Sequence, residues 1–108
     1  PLFVLCHCWF PNPFKTISNH DCDIIRPDLP NPETPSYEEW KPVLLDPINK
    51  KWDKKQPLIL VGHSLGGYTV LHLLSDCANE TWAQNVKGVY LVSPVVTMKY
   101  TPFLDNFT

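Results

Sequence analysis

Four apolar runs punctuate the chain, separated by polar, proline-rich or helically patterned stretches. Leu2-Phe3-Val4-Leu5-Cys6 is apolar without alternation, the pattern of a strand buried on both faces of a parallel sheet. Asp23-Ile24-Ile25-Arg26-Pro27-Asp28-Leu29 reads as a short second strand, and Pro27 places it at a sheet edge because proline has no N–H to give a ladder. Leu58-Ile59-Leu60-Val61 is the third, and residues 86–93, centred on Val89-Tyr90-Leu91-Val92, are the fourth. Between the first two runs, Phe10-Pro11-Asn12-Pro13 and the polar stretch to Asp21 predict a loop or a single helical turn.

The later connections read as helices. An extended segment, Pro30-Asn31-Pro32-Glu33-Thr34-Pro35, leads into Ser36-Tyr37-Glu38-Glu39, which has the spacing of a capping box. Tyr37, Trp40, Leu44, Leu45 and Ile48 then recur at helical spacing, while Pro42 and Pro47 are expected to kink or shorten the helix. After Ser64, Val70, Leu71, Leu74, Cys77 and Ala78 share one face of a second helix, with His72, Ser75, Asp76 and Asn79 on the other. The tail from Pro94 to Thr108 is apolar without clear periodicity.

Strands alternating with helices imply an α/β fold: a Rossmann-like parallel sheet of about four strands with right-handed crossovers and flanking helices. The expected order is 2-1-3-4, which makes the first and third strands neighbours at the topological switch point, where such sheets bind ligands. The tips of those strands are His7-Cys8-Trp9 and His63-Ser64-Leu65. At 108 residues, 1–108 is expected to be a single domain. Pro1 in place of methionine, one residue before a strand, is expected of a chain cut at its start, and nothing after the fourth strand supplies a cover for it.

Chemistry concentrates at the third strand. Gly62-His63-Ser64-Leu65-Gly66 is a G-x-S-x-G motif between an apolar run and a helical pattern, the arrangement of a nucleophile elbow. The serine of such an elbow sits on a sharp strand-to-helix turn, which requires small residues two positions to either side. Ser64 is therefore the candidate nucleophile, and the Leu65 N–H, at a helix N-terminus, a candidate oxyanion donor.

These residues also resemble a known group. Gly62-His63-Ser64-Leu65-Gly66-Gly67, with His7 and Trp9 after the first strand and Asp28-Leu29-Pro30-Asn31-Pro32 before Ser36-Tyr37-Glu38-Glu39-Trp40, is similar to the small α/β-hydrolases of the retinoblastoma-binding protein nine type. The resemblance covers most of the chain and implies a partial α/β-hydrolase fold in which Ser64 is the nucleophile and Leu65 one oxyanion donor. The second donor would come from the loop at Cys8 and Trp9, where Cys8 stands in place of the group's usual glycine. It also implies a helix between the first two strands that is shortened or absent here.

The α/β-hydrolase order is Ser, then Asp or Glu, then His, and the chain is expected to stop before the later two. Local substitutes are limited. His20 precedes the second strand, at the far end of the sheet, and His72 lies about 12 Å along the helix from Ser64 by helical rise. The turn directs the neighbouring His63 elsewhere, and Asp28 lies across the first strand. His7, at the correct end of the sheet, and Asp105, after the fourth strand, are the candidate contributors.

Two readings follow. One is a serine hydrolase acting on a carboxylic ester or similar small acyl substrate through a Ser64 acyl-enzyme, with no cofactor and no metal. The other is a catalytically inactive, truncated hydrolase-like protein with at most a protein-binding role, open to self-association through an exposed edge strand. A net charge of −2 supplies no basic field for nucleic acid, and no apolar run is long enough to span a membrane. The four cysteines are irregularly spaced, which suits reduced thiols and a cytoplasmic location. Cys6-His7-Cys8 puts neighbouring side chains on opposite faces of a strand, without a second ligand pair for a metal. The lysines at 50, 51, 54 and 55 read as a solvated loop, and the glycosylation patterns at Asn79 and Asn106 are short enough to arise by chance.

Overall fold

A computed structural model describes residues 1–6, 16–18, 23–31 and 33–92. Its elements are β1 (Leu2–Cys6), β2 (Thr16–Ser18), β3 (Asp23–Ile25), α1 (Tyr37–Lys51), β4 (Leu58–His63), α2 (Leu65–Asp76), α3 (Thr81–Gln84) and β5 (Val86–Val92). They build a sheet of order β2-β3-β1-β4-β5. From β3 to β5 all pairing is parallel, so the four expected strands stand in the expected order.

The departure lies at the edge. β2 pairs antiparallel with β3 in a stretch expected to be loop or helical turn, and it takes the edge position assigned to the second strand. Pro27 falls outside the ladder altogether, because β3 ends at Ile25. A proline two residues past a strand limits its length without deciding which neighbour it has.

Burial alternates along the central strands. Leu2, Val4 and Cys6 of β1 and Leu58 and Leu60 of β4 are buried, and their register pairs them row by row. They join one core with Trp40, Leu44 and Ile48 of α1 and Val70 and Leu73 of α2. The intervening Phe3, Leu5, Ile59 and Val61 are only half-buried. A continuous apolar run thus hides two environments, one beneath the helices and one on the opposite face.

Helix α1 contains both of its prolines without ending at either. Each removes one backbone hydrogen bond, but Pro42 faces solvent while Tyr37, Trp40, Leu44 and Ile48 are buried, so packing of the apolar stripe outweighs the lost bonds. The capping box also fails to form. Ser36 occupies the N-cap with no side-chain capping bond, and Glu39 instead accepts a hydrogen bond from Asn31 Nδ2 at 2.7 Å. The connector is fixed further by the Trp40 indole N–H, which donates to the Pro30 carbonyl at 2.6 Å.

The buried stripe of α2 is Gly66, Thr69, Val70, Leu73 and Cys77, whereas Leu71, expected on the apolar face, is exposed. The Thr69 hydroxyl, fully buried, donates to the Leu65 carbonyl at 2.8 Å, which leaves it satisfied inside the core.

Candidate active site

The end of β4 has one backbone requirement that explains its sequence. Ser64 sits between strand and helix with φ 56 and ψ −121, a conformation costing a non-glycine residue on the order of 1–3 kcal/mol. The turn persists because its surroundings over-determine it. The Ser64 amide donates to the Val92 carbonyl of β5 at 2.9 Å, and the Gly67 amide donates to the Ser64 carbonyl at 3.0 Å.

Sterics select the glycines. A β-carbon on Gly62 would lie 2.6 Å from the Gly66 carbonyl oxygen and 2.6 Å from the Gly67 α-carbon. One on Gly66 would overlap the Cys6 carbonyl oxygen of β1, so the first turn of α2 can approach the sheet only without a side chain there. The G-x-S-x-G spacing is a packing requirement on both sides of the serine.

Chemically, the turn holds a half-buried hydroxyl at the carboxyl end of the sheet, beside the start of a helix. Leu65 is the first residue of α2, where an amide has no acceptor within its own helix. The Ser64 amide is engaged by β5 and the Gly67 amide by the turn, which narrows the donors at this tip to those between them. No described side chain hydrogen-bonds the Ser64 hydroxyl. His7, Cys8, Trp9 and Asp105, along with His20, lie outside the described residues. The structure therefore brings together Ser64 and Leu65 of the candidate set. Among the described residues no group of metal-ligating side chains occurs, and no helix is long and apolar enough to cross a membrane.

His72 has a packing role. Its ring stacks on Tyr37 of α1, with centroids 3.7 Å apart and planes 11° from parallel, and meets the Tyr68 ring edge-on at 6.1 Å. One turn further on, Asp76 accepts hydrogen bonds from Lys41 Nζ and from the Tyr37 hydroxyl, the latter at 3.0 Å. The Lys41 bond first and the Tyr37 bond second hold the Asp76 carboxyl below its ordinary value of 3.8. Burial, reinforced by Asp76, pushes the Tyr37 phenol well above its ordinary range, and the same carboxylate raises Lys41. The four residues fasten α1 to α2. Helical periodicity places them on one face of each helix, but nothing in it pairs the two faces.

Comparison with known proteins agrees with this geometry. Residues 3–107 match the model of the alpha/beta hydrolase family. Over 65 residues, 60% of this chain, the sequence is 40% identical to the human gastric triacylglycerol lipase. The chain spans only 16% of that relative's length. No solved structure matches the chain. Both matches lie at the level of the superfamily and do not single out the retinoblastoma-binding protein nine group.

Proposed function

The chain belongs to the alpha/beta hydrolase family, and from that premise we propose that it carries the nucleophile half of a serine hydrolase acting on a carboxylic ester or similar small acyl substrate. The observation that carries this reading is Ser64 itself: a non-glycine residue held at φ 56 between a parallel strand and a helix, with glycines that no larger residue could replace. Strain of this kind persists where the position of a side chain matters more than the stability it costs.

In the proposed reaction Ser64 Oγ attacks the substrate carbonyl while its proton passes to a base. The carbonyl oxygen becomes an oxyanion facing the Leu65 N–H, with a second donor assigned to the Cys8–Trp9 loop. Collapse of this intermediate expels the alcohol, which takes up the proton, and leaves the acyl group on Ser64. Water then adds to the acyl-enzyme and releases the carboxylic acid. We assign the base and the acid to groups outside the described residues, His7 and Asp105 within this sequence or residues of a longer chain. The family match and the likeness to a lipase support ester chemistry. We further propose a reducing, cytoplasmic setting, in which the buried Cys77 would remain a thiol.

A fluorophosphonate probe tests the reading directly. Labelling of the folded chain that disappears in Ser64→Ala is the expected result, whereas a folded chain that takes up no label is not a hydrolase by itself. In that event the second reading holds, an inactive relative that binds another chain. One observation favours it specifically: β5, at the end of the sheet order, exposes Val89, Tyr90, Leu91 and Val92.

A further inference from the structure

One hydroxyl stands in the buried stripe of α2, where packing alone does not ask for it. Thr69, 0% exposed, shares that stripe with Gly66, Val70, Leu73 and Cys77. A valine would fill nearly the same shape and bring no polar atom to satisfy. Thr69 Oγ1 donates to the Leu65 carbonyl at 2.8 Å. In an α-helix that carbonyl already receives the amide four residues on, which here is the Thr69 N–H, so the hydroxyl adds a second bond where the helix lacked none. Back-bonding of this kind slightly weakens a helix.

The acceptor supplies a reason for it. The Leu65 carbonyl and the Gly66 N–H are two ends of one planar peptide unit, and in a helix they point in opposite directions along the axis. The carbonyl faces Thr69, and the N–H faces back toward the tip of β4, where Ser64 sits. Among the described residues neither the Leu65 nor the Gly66 N–H meets an acceptor, whereas the flanking amides of Ser64 and Gly67 are engaged at 2.9 and 3.0 Å. The sheet holds the same unit from its other side, since a β-carbon on Gly66 would overlap the Cys6 carbonyl oxygen. A further bond to the Leu65 oxygen fixes the plane of the unit and draws electron density toward that oxygen. The N–H at the opposite end becomes a stronger donor, by roughly 10–30%.

We propose that Thr69 is a positioning residue for the reaction assigned to Ser64: acting through the Leu65 carbonyl, it aligns and polarises the Gly66 N–H as a donor to the oxyanion, beside the Leu65 N–H. The inference rests on the nucleophile role proposed for Ser64 and adds to it a donor from within α2. An oxyanion donor is worth about 10²–10³ in rate, so weakening one by this share slows turnover about threefold.

The test is hydrolysis of p-nitrophenyl butanoate by the full chain, set beside the thionoester in which sulfur replaces the carbonyl oxygen and accepts hydrogen bonds poorly. Thr69→Val should lower kcat on the oxygen ester about threefold with KM unchanged, and should leave the thionoester rate as it is. Thr69→Ser, which keeps the hydroxyl, should restore the ester rate. The Gly66 amide proton should move upfield in Thr69→Val and not in Thr69→Ser. If Thr69→Val does not fold, Thr69→Ala carries the same comparison of ester with thionoester. An unchanged ester rate, an equal loss on both substrates, or a serine variant as slow as the valine one would each overturn the proposal while leaving Ser64 as nucleophile. A folded parent that hydrolyses neither substrate and takes up no fluorophosphonate overturns the Ser64 reading itself, and the role of Thr69 falls with it.

Discussion

Two neighbouring strands of similar composition have opposite fates. In β4, Leu58 is fully buried and Leu60 is 2% exposed; in β5, Val89 is 38% and Tyr90 60% exposed. Leu60 and Val89 are register partners, so their side chains stand in one row on one face of the sheet. The difference is therefore not one of hydropathy or of face. β4 has a paired strand on each side, whereas β5 ends the sheet order and so is paired on one side only among the described residues. The register also slips between Leu58 and Ile59, passing over Lys87 and placing a bulge and a charge near the start of β5, devices that blunt an open edge. Apolar sequence marks where cover is wanted, and only neighbours supply it.

The largest effect expected from this contrast is on stability. Leu60→Ala should cost about 2–5 kcal/mol, because it deletes buried methyl groups beneath two helices that cannot collapse freely onto the gap. Val89→Ala, in the same row, should cost under about 1 kcal/mol. Paired chemical denaturation of the two variants measures the difference. Equal losses would mean that β5 is covered in solution, and the contrast between the strands would fail.

An intermediate effect concerns the fastening that holds the helices over β4. The Asp76 carboxyl is held below its ordinary 3.8, so its contribution is fully present above that value and is lost as pH falls through the lower, folded one. For the raised Tyr37 and Lys41 the sign reverses: their contributions are complete below their ordinary values of 10.0 and 10.5 and are lost as pH rises through the folded ones. Asp76→Asn should therefore leave a melting temperature that depends less on pH than the parent's at both the acid and alkaline ends. The change should be smaller than that of Leu60→Ala, since both Lys41 and Asp76 face solvent, where an ion pair is screened. Parallel profiles for the two proteins would show that the fastening does not contribute.

What the sequence discloses follows the same division. The strands, their parallel order and the sharp strand-to-helix turn at Ser64 are legible because each is a local pattern: an apolar run, a crossover of helical length, two glycines flanking a serine. β2 was not, since Thr16-Ile17-Ser18 acquires its identity only by pairing with β3. The capping box failed for a related reason. Glu39 had a more distant donor in Asn31, and spacing along one helix cannot show a competitor on a connector. Arg26 gives no signal of its burial either, since a charged residue beside a proline reads as a solvated strand exit. At the candidate site, the turn carrying Ser64 and Leu65 could be read from the motif, while the Val92 carbonyl that holds the Ser64 amide belongs to a strand more than twenty residues away.

The smallest effect on stability should accompany a large effect on association. Val92 and Tyr90 are 51% and 60% exposed, so Tyr90→Thr and Val92→Thr remove little buried surface while placing β-branched threonine, suited to a strand, at both positions. Each should change stability by no more than about 0.5 kcal/mol. If β5 is the edge through which the chain meets another chain, as the second functional reading holds, sedimentation of the parent should show a concentration-dependent dimer that the double variant lacks. A substitution that touches only side chains leaves the edge N–H and C=O groups in place, so backbone pairing alone would survive it. Lys at Val89 adds the discriminating case, since two such charges brought together across paired edges repel each other while the monomer keeps its fold. A parent that sediments as a monomer at every concentration removes β5 as a self-association edge and leaves its exposed row as a surface for some other segment.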